Sequence, residues 1–232
     1  MIRFDAVWLD AGGVLVLPDP TVLGPLLAWY GGSTDVERHR RAHHAAMAVK
    51  SVQGAEERDW RDYDRAYTRA VDVPDDDVEE AAAVLGGTRT AALWRYPIAD
   101  SQAALVALAA AGVPLGVVSN ASGQIEHVLR RGGVCQVGPG AGVDVRCVVD
   151  SEVVGVAKPD PAIFDHAAVH FPGVARPRIA YVGDSVTMDV GGARAAGLHP
   201  ILFDPYDDHA GVDFERIRSL GELLAITSGG GR

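Results

Sequence analysis

The run Ala6-Val7-Trp8-Leu9-Asp10-Ala11-Gly12-Gly13-Val14-Leu15 decides the fold. An apolar stretch ends in one carboxylate, two glycines follow at once, and the apolar pattern resumes. Such a run reads as a short buried strand that delivers Asp10 to the tip of a sheet. Gly12 and Gly13 let the backbone turn sharply there and approach a ligand. Asp10 is the candidate nucleophile. Taken alone, a strand closed by an Asp-Gly turn is the commoner explanation. Three later segments, each an apolar strand followed by polar residues of a suitable kind, shift the balance toward chemistry.

Those segments lie in an ordinary globular chain. Its 232 residues suffice for one sizeable core, or for a core with a modest insert, and 48% are hydrophobic against 22% charged. The formal net charge of −10 argues against a general nucleic-acid-binding surface. An anionic substrate stays compatible with it when a metal and a lysine make the site locally positive. Cys135 and Cys147 belong to no C-x-x-C pair and read as reduced thiols. No leader-like stretch precedes the first strand and no apolar run reaches membrane-spanning length. The expectation is a cytoplasmic protein without a membrane or nucleic-acid partner, acting as a monomer or homodimer.

Downstream of Val14–Leu17, which suits a small hairpin, Pro18-Asp19-Pro20 breaks the pattern. Residues 21–30, 35–50, 56–71, 76–86 and 88–95 then read as helices, rich in Ala, Arg, Asp and Glu and punctuated by Gly and Pro. From residue 97 the chain alternates. A helix over 101–111, with Asp100 as cap and Gly112 as stop, leads to a strand over 113–118 that ends in Ser119-Asn120. A short helix (125–130) and a Gly-rich loop (132–142) follow. Next come a strand (145–149), a helix (161–170), a strand (179–182), a helix (186–196), a strand (200–203) and a terminal helix (220–226). Strands alternating with helices mean parallel β-α units, whose functional loops gather at the carboxyl ends of the strands. The expected architecture is α/β: a Rossmann-like parallel sheet core from residues 1–17 and 97–232, with an α-helical insert over 18–96.

Asp10, Ser119-Asn120, Lys158 and Asp184 each fall at a strand end or in the adjoining loop, so one sheet can bring them together. The set suits phosphoryl chemistry. A carboxylate attacks phosphorus and splits one hard step into two, and a Mg²⁺ shared by Asp10 and Asp184 bridges readily to phosphate. Lys158 neutralises charge, while the Ser119 hydroxyl and nearby N–H groups donate to phosphoryl oxygens.

The four segments DAGGVL, VVSNAS, VAKPDPAIF and YVGDSVTMDVGGARAAG, in this order, resemble the motifs of the haloacid dehalogenase-like hydrolase superfamily. The resemblance covers roughly residues 1–17 and 97–226, and the helical insert lies where that superfamily's first type of cap is found. It implies Asp10 as nucleophile, Ser119 as the second-motif hydroxyl, Lys158 as the third-motif lysine and Asp184 as the acidic metal ligand. Asp189 then supports the metal indirectly, through water or the lysine, and the Gly12 carbonyl is a main-chain ligand. Most members are Mg²⁺-dependent phosphatases of small phosphorylated metabolites.

The chain departs from that pattern at Gly12, where most such phosphatases carry a second Asp that protonates the leaving oxygen and then activates water. Loss of a general acid/base commonly costs about 10²- to 10⁴-fold in rate. Three readings follow: a phosphatase whose leaving group needs little protonation or whose acid lies elsewhere, with sugar phosphates favoured; a 2-haloacid dehalogenase-type hydrolase; or a catalytically weakened fold serving as a binding or regulatory protein.

The insert would set specificity. Its basic run Arg38-His39-Arg40-Arg41-Ala42-His43-His44 includes Arg41, the candidate contact for a carboxylate or halide, though a solvated helix face explains such a run equally well. His39 and His43 have the i,i+4 spacing of two metal ligands, but spacing identifies no third. Trp60, Tyr63 and Tyr67 form a stripe expected in a core or interface. Leu26, Leu27, Trp29 and Tyr30 are expected to pack the insert's own core. Pro18–Pro20 and Tyr96-Pro97 are the expected hinges.

Overall fold

Residues 4–52, 59–90, 92–209 and 211–227 are described in a computed structural model. The alternation of Ala6 and Trp8 with Val7 and Leu9 forms strand β1 (Ala6–Leu9), whose residues are all buried and point to opposite faces of a sheet. The chain turns back into β2 (Val16–Pro18) and enters the helical insert: α1 (Pro20–Ala28), α2 (Val36–Val52), α3 (Arg61–Ala70) and α4 (Val78–Gly87). It returns through β3 (Trp94–Pro97) and continues as α5 (Ala99–Ala110), β4 (Leu115–Ser119), α6 (Ile125–Arg131), β5 (Cys135–Val137) and β6 (Val143–Val145). Then come β7 (Val148–Asp150), α7 (Ser151–Val154), α8 (Ile163–Ala168), β8 (Ile179–Gly183), α9 (Gly192–Ala195), β9 (His199–Phe203), β10 (Arg216–Ile217) and α10 (Leu223–Ile226).

Six strands form one sheet in the order β10-β9-β8-β1-β4-β7, and every pairing in it is parallel. Parallel strands need crossovers, and the helices supply them while covering both faces. Val7 and Leu9 join Leu105, Leu108, Val117 and Val182 on one face. Ala6 and Trp8 join Phe164, Phe171, Ile179 and Tyr181 on the other. The insert holds a separate apolar cluster that includes Leu23, Leu27, Tyr63, Tyr67 and Leu85. Two antiparallel strands, β2 and β3, join it to the sheet, and Asp19, which caps α1, is held to Arg95 by an ion pair of 2.8 Å.

Several local expectations are corrected. Residues 88–90 and 92–95 are not helical. Thr88 closes α4, and Trp94–Pro97 is drawn into pairing with β2, because Trp and Tyr suit a strand once a partner is present. The strand expected over 145–149 is two: β6 pairs with β5 inside the Gly-rich segment read as loop, and β7 edges the main sheet. The helix after β8 opens as a wide π-type turn, Val186–Gly191. Helix α5 is capped at Ile98, two residues earlier than expected, with Asp100 in its first turn. Trp29 is 85% exposed instead of core, whereas Leu27, Tyr63 and Tyr67 are buried as expected. The start expected at 56–58 for the third insert helix, and the tail 228–232, lie outside the described residues. Both cysteines are buried and unbridged, their thiols pushed up by burial to about 12 for Cys135 and about 11 for Cys147. Among the described residues no helix is long and apolar enough to cross a membrane.

Trp8 is fully buried and stacks near Phe164 and Phe171, with ring centroids 6.4 and 5.2 Å away. Trp8→Ala should therefore cost about 3–5 kcal/mol, the range for emptying a large aromatic site. Urea unfolding followed by circular dichroism measures it.

Candidate active site

Strands β8, β1 and β4 are neighbours in the sheet, so their carboxyl ends open side by side. Asp10 follows β1, its N–H donating to the Val182 carbonyl at 2.8 Å. Ser119 ends β4, Asp184 follows β8, and Lys158 lies in the loop between α7 and α8. All four are buried and three line one cavity of about 280 Å³ with Gly12, Asn120 and Asp189; Lys158 lies beneath its floor.

The floor is a network of charges. The Lys158 ammonium lies 3.0 Å from Asp10 Oδ1 and 2.6 Å from Asp189 Oδ1, and donates to the Tyr181 hydroxyl at 2.9 Å. Tyr181 donates onward to the Val118 carbonyl. The second oxygen of Asp189 accepts the Ser185 N–H at 2.9 Å, so both its oxygens are held by protein donors. Two glycines make this packing possible. A Cβ on Gly183 would fall 2.1 Å from Asp189 Cγ, and one on Gly13, whose φ is +69°, would fall 1.8 Å from Asp184 Oδ2.

Burial pushes the Asp10 carboxyl up to about 7, against the pull of Lys158 and the Ser119 hydroxyl and with the push of Asp189 and Asp184. Lys158 is likewise penalised by burial, yet the carboxylates of Asp10 and Asp189 outweigh that and hold its ammonium above the ordinary lysine range. Asp10, Asp184 and Asp189 each bring a carboxylate oxygen within 4.8 Å of the others. Three carboxylates against one ammonium leave an excess of two negative charges when ionised. An all-oxygen donor set of that charge is the kind a hard divalent cation takes.

The fate of each predicted residue differs. Asn120 is at the site, but its amide oxygen accepts the Lys158 N–H at 2.8 Å and its amide nitrogen donates to the Lys158 carbonyl at 2.9 Å. Its side chain locks the lysine loop to the end of β4, and the residue itself lines the cavity. Arg41 is corrected outright: its guanidinium forms a bidentate pair with Asp208 at 2.7 and 2.6 Å, lies over Tyr206, and does not line the cavity. The His39–His43 pair is split too. His39 is spent on the Tyr67 hydroxyl and the Ser33 carbonyl, both at 2.8 Å.

His43, which the sequence marked only by its spacing from His39, is the member of that pair that reaches the site. It projects from α2 to the floor, its Nε2 3.0 Å from Asp184 Oδ2 and its Nδ1 2.8 Å from the Tyr63 hydroxyl. Beside it, burial drives the His44 imidazole well below the ordinary range. His43, His44 and Asp184 each place one donor atom within 4.8 Å of the others. The cavity walls are Met47, Trp60, Trp94, Ile125, Val128 and Met188, with Lys50 3.8 Å above the Trp60 ring and Arg89 paired to Asp64. Trp94 also touches the position where the chain departs from the phosphatase pattern: a Cβ on Gly12 would lie 3.1 Å from its Cζ3.

A six-stranded parallel sheet thus gathers an aspartate, a serine and a second acidic pair around one cleft, with a buried lysine beneath them, as enzymes built on doubly wound α/β sheets do. The sequence matches the family model of haloacid dehalogenase-like hydrolases over residues 4–197, and the chain belongs to that family. Among curated proteins it is similar to haloacid dehalogenase-like hydrolase domain-containing protein 3 of Danio rerio, 35% identical over 130 residues (54% of this chain, 50% of that protein). It is also similar to the phosphoserine phosphatase of Thermus thermophilus, 33% identical over 135 residues (56% and 51%). The chain thus spans about half the length of these relatives. Among solved structures, a phosphatase of the same superfamily from Thermococcus onnurineus superposes with a TM-score of 0.60 at 23% identity, covering 97% of this chain and 98% of that one. A dehalogenase with an intermediate complex gives 0.59 at 18%, with 98% of each chain covered. At these identities the structural likenesses speak for the fold.

Lys158→Met would leave Asp10 and Asp189 buried without their cation. The expected loss in metal-free buffer is about 3–5 kcal/mol, the cost of breaking a buried pair from one side. Urea unfolding in the presence of a chelator reads it.

Proposed function

We propose that the chain is a Mg²⁺-dependent phosphatase of a small phosphorylated metabolite, with sugar phosphates favoured, working through an aspartyl-phosphate on Asp10. The observation that carries this reading is the retention of Asp184 and Asp189 around the Asp10–Lys158 pair. A carboxylate attacking carbon in a haloacid has no use for that excess of negative charge, whereas a phosphoryl group delivered with a divalent cation does.

Asp10, Asp184 and the Gly12 carbonyl would hold the ion. When bound, it keeps the Asp10 carboxylate ionised and neutralises phosphoryl charge. Asp10 Oδ attacks phosphorus, the bond to the leaving oxygen breaks, and its electron pair goes to that oxygen, which takes up a proton. Water then attacks the aspartyl-phosphate, its P–O bond to Asp10 breaks, and phosphate leaves with the carboxylate restored. Lys158 keeps the nucleophile in place and offsets charge, Ser119 donates to a phosphoryl oxygen, and Asp189 holds Lys158 in line. Asn120 serves indirectly by fixing the lysine loop. The helical insert, residues 18–96 between the core segments 1–17 and 97–232, acts as the cap that encloses the rest of the substrate.

The test is phosphate release with and without Mg²⁺ across sugar, nucleotide and aryl phosphates, with 2-haloacids in parallel. The expected result is release that a chelator abolishes and that Asp10→Asn lowers by at least about 10⁴-fold, while Mg²⁺ raises the melting temperature of the wild type. Metal-independent halide release overturns the reading. Gly12→Asp alone is expected to give no gain on alkyl phosphates, because its side chain meets the Trp94 ring; adding Trp94→Ala should relieve the clash. The same assay reads both variants.

A further inference from the structure

We propose that His43, His44 and Asp184 form a second metal site, for a borderline divalent transition ion such as Zn²⁺, with donors unlike the all-oxygen set of Asp10, Asp184 and Asp189. The two histidines come from α2 of the insert and Asp184 from the turn after β8 of the core, so an ion held by all three fastens the insert over the cleft. The site stands whether or not the chain hydrolyses phosphate esters.

All three residues are buried, and each places one donor atom within 4.8 Å of the others. His43 brings its Nε2 to 3.0 Å from Asp184 Oδ2. Its Nδ1 lies 2.8 Å from the Tyr63 hydroxyl, the kind of bond at the far nitrogen that orients a ligating imidazole. His44 supplies the independent observation. It is 5% exposed, and its Nε2 is buried without a hydrogen-bond partner among the described residues. Its ring packs against those of His43, Phe203 and Tyr206, with centroids 5.1, 5.7 and 5.6 Å away. Buried polar nitrogens are ordinarily paired, so the orphan marks an imidazole whose polar capacity the protein itself does not use. Two imidazoles and one carboxylate suit Zn²⁺ and its neighbours in the first transition row and leave coordination positions open, whereas Mg²⁺ prefers oxygen throughout. Asp184 belongs to both donor sets, and the hardness of the ion decides which set is filled. The helical spacing pointed to His39 beside His43; His39 is bonded to Tyr67 and Ser33, and its place is taken by the next residue of α2 and by a carboxylate from far along the chain.

The test uses Co²⁺ as the probe on the full chain, free of any affinity tag and in Mg²⁺-free buffer. One tightly bound Co²⁺ is expected, with two paramagnetically shifted imidazole N–H signals in the proton NMR spectrum, one from each histidine. His44→Phe, which keeps a ring beside Phe203 and Tyr206, should lose one signal. Titration calorimetry should show its affinity lowered by at least about 10²-fold, and that of Tyr63→Phe by about 10- to 10²-fold, the range for loss of a group that orients a ligand. If His44→Phe does not fold, His43→Asn carries the same expectation. Co²⁺ bound without shifted imidazole signals would place it among the carboxylates alone, and signals and affinity unchanged in His44→Phe would place it on other histidines. Either result overturns the site, as does failure of the wild type to bind Co²⁺. None of these readouts depends on phosphate release, so failure of the phosphatase reading is seen separately.

Discussion

The Lys158 ammonium, buried and shared between Asp10 and Asp189, is the constraint from which the rest of the site follows. A lone ammonium in such a place would be prohibitive, and so would two carboxylates without it. Meeting both needs requires three chain segments to arrive together: the end of β1, the loop before α8 and the turn after β8. The parallel order β8-β1-β4 makes that possible, and Asn120 and Tyr181 complete the anchorage with hydrogen bonds to the lysine loop and the ammonium. The glycines at 13 and 183 are required because the carboxylates of Asp184 and Asp189 fill the volume where their side chains would be.

The insert answers to a different logic. It has its own apolar cluster and meets the core through the β2–β3 pair and through polar contacts of α2, among them His43–Asp184 and Arg41–Asp208. What it contributes to the cleft is one face of α2 with residues from α3 and β3: His43, Met47, Lys50, Trp60 and Trp94. The polar end of that face lies against Asp184 and the apolar part forms the walls. The floor is thus charged, with carboxylates in excess, and the walls are apolar.

Much of the floor was legible in the sequence because its residues sit at strand ends, and strand ends converge whenever parallel units alternate with helices. Asp10, Ser119 and Asp184 follow from that rule, and Lys158 joins them from the loop between α7 and α8. His43 was legible only as half of a ligand spacing with His39, not as a residue at the Asp184 end of the cleft. In the run from Arg38 to His44 every position carries a polar or small side chain, and which of them meets the core depends on how α2 docks, a long-range matter that periodicity does not encode. Arg41 looked the better candidate by charge, and its claim fails because Asp208, far along the chain, captures it. Trp94 escaped notice since 88–95 reads as helix until β2 offers an edge to pair with.

That tryptophan carries a consequence for how the family can diversify. Residue 12 lies on the turn after β1 and residue 94 on the strand that returns from the insert, yet they compete for one volume. A Cβ at residue 12 would stand 3.1 Å from Trp94 Cζ3, so a side chain there makes the indole give way. Descendants of such a chain would therefore be expected to exchange the two positions in concert, with a glycine tolerated beneath a large ring and a smaller residue at 94 permitting a side chain at 12. In evolutionary terms the two sites form a single character, whose states differ in how the space between the turn after β1 and the returning strand is filled.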